Sequence, residues 1–140
     1  MADSIPRSYL KEITDALAAE PLYVAFFKSD MSGYTETAAS SLYSALGNEV
    51  SSAGTGYTTG GYALASLVSE SIGVTNAVRL TASATARTGA TWTCRYAVIY
   101  NHTTSKIRGV KDLGSDMSVT SGTFTITWSA TEGVVKVVFA

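Results

Sequence analysis

The chain has 140 residues, of which 46% are hydrophobic and only 15% charged, and its formal net charge at pH 7 is -1. A chain of this length fits one domain with a sizeable core. Its ten Lys and Arg residues are scattered, which argues against a nucleic-acid-binding protein, since neutralising phosphates needs clustered positive charge. The single cysteine, Cys94, excludes an intrachain disulfide, and with one histidine it cannot form a Cys/His zinc site.

Residues 1–20 are predicted to form an N-terminal helical arm. Ser4 is positioned to cap the helix, Pro6 falls in its first turn, and Pro21 blocks its continuation because proline lacks an amide donor. The helix is predicted to be amphipathic, since apolar residues recur at helical spacing along one side. These residues are Tyr9, Leu10, Ile13, Ala16 and Leu17.

Residues 21–140 are predicted to form a single β domain. The run Leu22–Phe27 is short, aromatic and almost continuously apolar, which is typical of a central strand covered on both faces. The stretch 37–46 could form one short helix, although its serines weaken that prediction by offering local hydrogen bonds to the backbone.

A glycine loop is predicted at residues 48–62. Four glycines alternate there with Ser, Thr and Tyr, so the backbone is too free and too polar for a regular element. We therefore expect an exposed loop that could act as a contact arm. It is not a phosphate-binding loop, because it has neither the lysine of a P-loop nor the strand-helix context of a dinucleotide fingerprint.

Period-two patterns dominate the rest of the chain and predict a series of short strands. In Trp92–Tyr100 the alternation places Trp92, Cys94, Tyr96, Val98 and Tyr100 on one face. The other strand candidates are 77–85, 106–113, 123–128 and 134–139, with turns at 101–105, at 112–116 and at Glu132–Gly133. The predicted fold is mainly β, an antiparallel β-sandwich or jelly roll with an N-terminal amphipathic helix.

No catalytic, cofactor-binding or metal-binding residue is predicted. His102 lies in a polar turn without a nucleophile and an orienting acid, and Cys94 shares a face with large apolar residues, where a thiol behaves as a small hydrophobic group. The pair Asp112 and Asp116 brackets a turn, in which Asp side chains bond to the nearby backbone. We therefore expect a protein that is not an enzyme.

Tyrosines and glycines in or near the loops are the candidate interface residues. Tyrosine supplies a large contact area at small entropic cost, although each tyrosine could equally be an ordinary loop anchor. The candidates are Tyr34, Tyr43, Gly54, Gly56, Tyr57, Gly60, Gly61 and Tyr62.

Several motifs together resemble small proteins encoded among the virion genes of tailed bacteriophages. They are Asn48-Glu49-Val50, Gly54-Thr55-Gly56-Tyr57-Thr58-Thr59-Gly60-Gly61, Arg95-Tyr96-Ala97-Val98-Ile99-Tyr100, Asp112-Leu113-Gly114 and Gly122-Thr123-Phe124-Thr125-Ile126-Thr127-Trp128. The resemblance covers about residues 22–128. Members of such a family are minor capsid, head decoration (cement) or collar components, and the resemblance carries no catalytic residue across.

The resemblance implies a virion structural protein, most simply a decoration or cement protein that binds the major capsid protein and stabilises the shell. Synthesis in the host cytoplasm is expected because residues 1–7 have neither the basic start nor the apolar run of a signal peptide. A neck, collar or tail-fibre attachment protein is the first alternative, and a carbohydrate-binding module is the second. Exposed strand edges favour self-association as a dimer or trimer. No nucleic acid and no membrane is expected as a partner, since the sequence has neither a basic cluster nor a long apolar run.

Overall fold

The computed structural model describes residues 5–38, 41–72, 77–129 and 131–138. The protein is mainly β, with two antiparallel sheets and one N-terminal helix. In chain order the elements are α1 (Arg7–Ala18), β1 (Leu22–Ser32), a 3₁₀ turn (Tyr43–Ala45), β2 (Gly47–Glu49), β3 (Tyr62–Ala63), β4 (Val68–Ser71), β5 (Ala77–Thr81), β6 (Thr85–Asn101), β7 (Ile107–Ile126) and β8 (Val135–Val138).

The chain divides into two compact units. The helix, expected as an arm at residues 1–20, groups with 64–84 and 127–140, and the second unit comprises 21–63 and 85–126. In the first unit α1 packs on a three-stranded antiparallel sheet of order β4-β5-β8. Val78 and Leu80 of the central strand β5 are fully buried, as is Val134, and they belong to the core of this unit.

The helix buries a narrower face than its pattern predicts. Leu10 and Thr14 are buried, and the Thr14 hydroxyl donates to the Leu10 carbonyl at 2.9 Å, so a polar residue fits the interior. Tyr9 and Ile13 are 52% and 42% exposed, so the prediction that they belong to the buried face is wrong. Pro6 is the residue at the helix N-cap, and the predicted cap Ser4 lies outside the described residues.

The second unit is a five-stranded antiparallel sheet of order β2-β1-β6-β7, in which β3 pairs with β1 beside β2. Along Leu22–Phe27, β1 pairs residue by residue with β6 at 96–101. All but Tyr23 of these β1 residues are buried, which confirms the predicted central strand covered on both faces. The predicted helix at 37–46 is wrong for the described residues, because only the 3₁₀ turn Tyr43–Ala45 is helical.

The side chains of β6 do not keep the single face that strict alternation predicts. Trp92 stacks with Phe26, at 6.4 Å between ring centroids. Val98 and Tyr100 instead pack with Ala25 and Phe27, which point to the opposite side of β1. The β6–β7 register shifts between Cys94 and Tyr96, and such an irregularity reverses the side on which later residues lie.

The longest strand is β7, which contains both predicted strands 106–113 and 123–128 in large part. The turn expected at 112–116 is instead an irregular stretch within it, where Gly114 has a φ of +89° and its N–H donates to the Asp112 carboxylate at 2.8 Å. The strand ends at Ile126, so Trp128 lies beyond it. The predicted last strand is present as β8, and Phe139 lies outside the described residues.

Candidate interaction surface

Six of the eight predicted interface residues lie in the glycine loop at 48–62. Its residues 50–61 have no regular secondary structure, as the sequence predicts, whereas Asn48 and Glu49 belong to β2 and Tyr62 belongs to β3. Its tip, Ser51–Gly54, is exposed. Thr55 donates its hydroxyl to the Ser51 carbonyl, which closes the tip into a turn. This tip carries no charge, and it is the longest exposed run of the loop, in which Gly56, Thr58 and Thr59 are also exposed.

Glu49 fixes the base of this loop. Its Oε2 accepts a hydrogen bond from the Tyr43 hydroxyl at 2.6 Å, and its Oε1 accepts from the Tyr57 hydroxyl at 2.7 Å. The same Oε1 accepts the Gly60 N–H at 2.8 Å. Hydrogen bonds to an ionised acceptor are stronger than those between neutral groups. One carboxylate therefore links the 3₁₀ turn, the middle of the loop and its far end.

Tyr57 and Tyr62 point into the fold, since they are only 4% and 7% exposed. The Tyr57 hydroxyl also accepts the Phe26 N–H at 3.0 Å. The two rings meet edge to face at 5.7 Å, and Tyr57 makes a similar contact with Trp92 at 5.5 Å. Arg87 lies over the Tyr62 ring at 3.8 Å from its centroid. These two candidate interface tyrosines are core residues that hold the loop down.

Two glycines let the loop approach other strands closely. A Cβ on Gly56 would stand 2.5 Å from the Gly89 carbonyl oxygen, and beside it the Thr91 N–H donates to the Thr55 carbonyl at 2.9 Å. A Cβ on Gly61 would overlap the Val24 carbonyl. Gly54, at the exposed tip, has open space around the corresponding position. The loop is therefore seated on β1 and β6, whereas its tip stands clear.

Tyr43 and Gly60 are partly buried, and Tyr100 contacts both of them. The Tyr43 and Tyr100 rings stack at 4.2 Å with an interplanar angle of 9°. The Tyr100 hydroxyl donates to the Gly60 carbonyl at 2.6 Å. Burial raises the pKa of Tyr43 and Tyr57, and the Glu49 carboxylate adds to both increases. Burial and the charge of Glu49 raise the pKa of Tyr100 to about 12. These hydroxyls remain neutral donors near pH 7.

Tyr34, the remaining candidate, lies apart from this cluster and lines a groove of about 350 Å³. The groove lies between the segment that follows β1 and the beginning of β7. The residues that line it are Tyr34, Glu36, Ala38, Ser41, Lys106, Ile107, Arg108 and Gly109. The structure thus distributes the eight predicted interface residues among the core, the seated loop, its tip and this groove.

The side chains considered as catalytic candidates pack or form hydrogen bonds within the fold. His102 stacks on Tyr23 at 4.0 Å, in the turn between β6 and β7. Cys94 is fully buried, and burial raises its pKa to about 11. Arg95 makes two hydrogen bonds to Asp112, at 2.9 and 3.1 Å, which lower the pKa of that carboxyl.

The described part of the chain contains no group of three or more His, Cys, Asp or Glu residues that could hold a metal ion. None of its helices has both the length and the apolar character needed to cross a membrane.

Glu49 and Asn101 are the important residues that the sequence did not single out. Asn101 is buried, and its side-chain oxygen accepts the N–H groups of Thr103 and Thr104 at 2.9 and 3.0 Å, which shapes the β6–β7 turn. The signal for Glu49 is its position as the one carboxylate next to a segment with four glycines and two tyrosines. Nothing in strand periodicity marks such a residue.

Comparisons with known proteins found no protein family, no curated protein and no solved structure that matches the chain.

Proposed function

We propose that the chain is a structural protein of a tailed-bacteriophage particle, a decoration or cement protein that is not an enzyme and that binds the major capsid protein. The motif resemblance of residues 22–128 supports the phage assignment. The finer fold assignment, a β-sandwich or jelly roll, belongs to the same proposal and rests on the pattern of short antiparallel strands. The protein is made in the host cytoplasm and acts in the virion.

The observation that carries this proposal is the exposed loop tip on a fixed base. Ser51–Gly54 is exposed and uncharged, whereas Glu49 and Tyr57 hold the residues on either side of it. A preorganised loop loses less conformational entropy when it binds than a free arm loses. An uncharged polar tip also avoids charge repulsion between many copies on one shell. A cement protein needs both properties, because it stabilises the shell only by binding its assembled form.

The test is binding of the purified protein to empty capsids of the phage that encodes it. We expect saturable binding that raises the temperature at which the shells dissociate. Ser52→Arg adds bulk and charge at the exposed tip and should weaken binding at least about tenfold, since a desolvated unpaired charge at an interface is costly. Ser29→Arg, at an exposed position of β1, is the matched control. Wild-type protein that bound neither capsids nor itself would refute the proposal.

Copy number distinguishes decoration from the neck, collar or tail-fibre position. Quantitative mass spectrometry of intact particles should find the protein at a copy number comparable to that of the major capsid protein. A handful of copies would instead assign it to the neck or to fibre attachment, with neck proteins as partners. Self-association as a dimer or trimer is part of the proposal and is measured by sedimentation of the free protein.

A carbohydrate-binding module is the less favoured alternative. Such a module stacks sugars on exposed aromatic rings, yet among the Phe, Tyr and Trp residues that the structure describes only Tyr9 is exposed, and it lies on α1. A glycan array should therefore show no binding. Binding there, together with absence from the particle, would favour this alternative.

A further inference from the structure

One edge of the five-stranded sheet is open along most of its length. β7 pairs with β6 on one side. On its other side, among the described residues, pairing occurs only at its start, where Leu42 bridges Lys106 and the Ile107 N–H donates to the Ser41 carbonyl at 3.0 Å. An open strand edge presents alternate N–H and carbonyl groups that can pair with an extended segment of another chain.

The groove beside Tyr34 begins where that pairing stops. One of its walls is formed by Lys106 and the first residues of β7 up to Gly109, and the other by Tyr34, Glu36, Ala38 and Ser41. Its volume of about 350 Å³ lies within the range of ligand-binding pockets, about 300–1,000 Å³. Beyond the groove, Gly109–Asp112 pairs regularly with β6 and therefore continues as a straight edge. A strand that entered the groove would run directly onto this edge.

Positive charge lines this path. Lys106 lies at the groove, and Lys111 follows on the same strand. The neighbouring carboxylate of Asp112 is already bonded to Arg95, and Glu36 is the one carboxylate among the lining residues. The local charge is therefore positive although the chain has a net charge of -1. A segment with carboxylates would be complementary to it.

We propose that this groove binds an extended acidic segment of a partner protein, which adds a strand to the open edge of β7. Main-chain pairing would provide affinity, and Lys106 and Lys111 would select for carboxylates. The partner's ring or alkyl side chains would rest on Tyr34. This site is separate from the loop tip, and the proposal stands or falls independently of the phage assignment.

The experiment measures fluorescence anisotropy with a short labelled peptide of alternating Thr and Glu, blocked at both ends. The matched probe replaces each Glu with Lys. We expect the acidic peptide to bind and the basic one not to bind, with binding that weakens as salt rises. Lys106→Glu should lower the affinity for the acidic peptide about fivefold or more, in line with reversal of an exposed charge pair. Equal binding of the two peptides, or no binding of the acidic one, would overturn the proposal.

Lys28→Glu is the control variant, because Lys28 is an exposed strand residue of the same unit that does not line the groove. Its affinity for the acidic peptide should equal that of the wild type. A loss as large as that of Lys106→Glu would show attraction by net charge alone and would contradict a defined site. NMR of the wild-type protein should locate amide shift changes along 106–112. Shift changes confined to 34–38 would exclude strand addition.

Discussion

A glycine can serve mobility or close packing, and in the glycine loop its role differs from one position to the next. Gly56 and Gly61 allow main-chain atoms of the loop to approach Gly89 and Val24, whereas Gly54 is surrounded by open space. The sequence alone shows four equivalent glycines, because the atoms that make two of them necessary come from strands far away in the chain. The burial of Tyr57 could not be predicted either, because Trp92, which packs against it, lies on the distant strand β6.

Alanine substitutions at Gly54 and Gly56 separate these roles. Both residues have a left-handed backbone, with φ of +70° and +77°, so each alanine costs about 1 kcal/mol of backbone strain. Gly56→Ala must also displace the Gly89 carbonyl, so we expect a total loss of about 2–4 kcal/mol in the free energy of unfolding. Urea unfolding followed by tryptophan fluorescence measures both. Equal losses would mean that the loop is not seated on β6.

At the scale of elements, the sequence predicts strands well where their pattern depends on local alternation. The strand ending at Tyr100 could be located in this way, and Leu22–Phe27 could be located because its apolar run is almost continuous. The number of strands could not, because the expected turn at 112–116 is an irregularity that β7 absorbs without ending. The sequence also could not predict on which side of the sheet each β6 residue lies, since that depends on a register shift relative to β7. Bulges are set by pairing between strands, and alternation within one strand does not reveal them.

The helix α1 provides a test of which face is buried. Leu10→Ala removes a side chain that is 3% exposed and should lower the free energy of unfolding by about 2–4 kcal/mol. Ile13→Ala removes a side chain of similar size at a position that is 42% exposed, and its cost should stay below about 1 kcal/mol. Thermal or urea unfolding measures the difference. A larger loss for Ile13→Ala would contradict the observed orientation of α1.

At the scale of the whole molecule, the fold class could be predicted and the division into units could not. The composition of the units, with the first drawn from 1–20, 64–84 and 127–140, depends on which strands pair. Both units rely on pairing between residues distant in sequence, such as Leu80 with Val135 in the first unit and Phe26 with Ala97 in the second. The candidate surface was located only to the level of the loop, and its exposed tip required the structure.

Raised pKa values predict how the molecule responds to alkali. The pKa of Cys94 rises from 9.0 to about 11 and that of Tyr100 from 10.0 to about 12, in both cases mainly through burial. Because the folded state disfavours the ionised forms, their contribution to stability is complete below about pH 9 and is lost as pH rises toward 12. The urea midpoint should therefore be constant from pH 7 to about 8.5 and then fall. Tyr100→Phe should reduce the part of the fall above about pH 10, and an unchanged profile would contradict this assignment.

The first unit is built from three segments that are far apart in the chain, and this affects its folding during synthesis on the ribosome. Translation delivers α1 first, its neighbour β5 much later, and β8 only near the end of the stretch described. Until those strands emerge, Leu10 has no sheet to cover it, and an isolated helix of twelve residues is only marginally stable in water. The nascent chain therefore leaves the apolar side of α1 uncovered until β4 and β5 have emerged, and chaperones that hold apolar segments would bind at this helix.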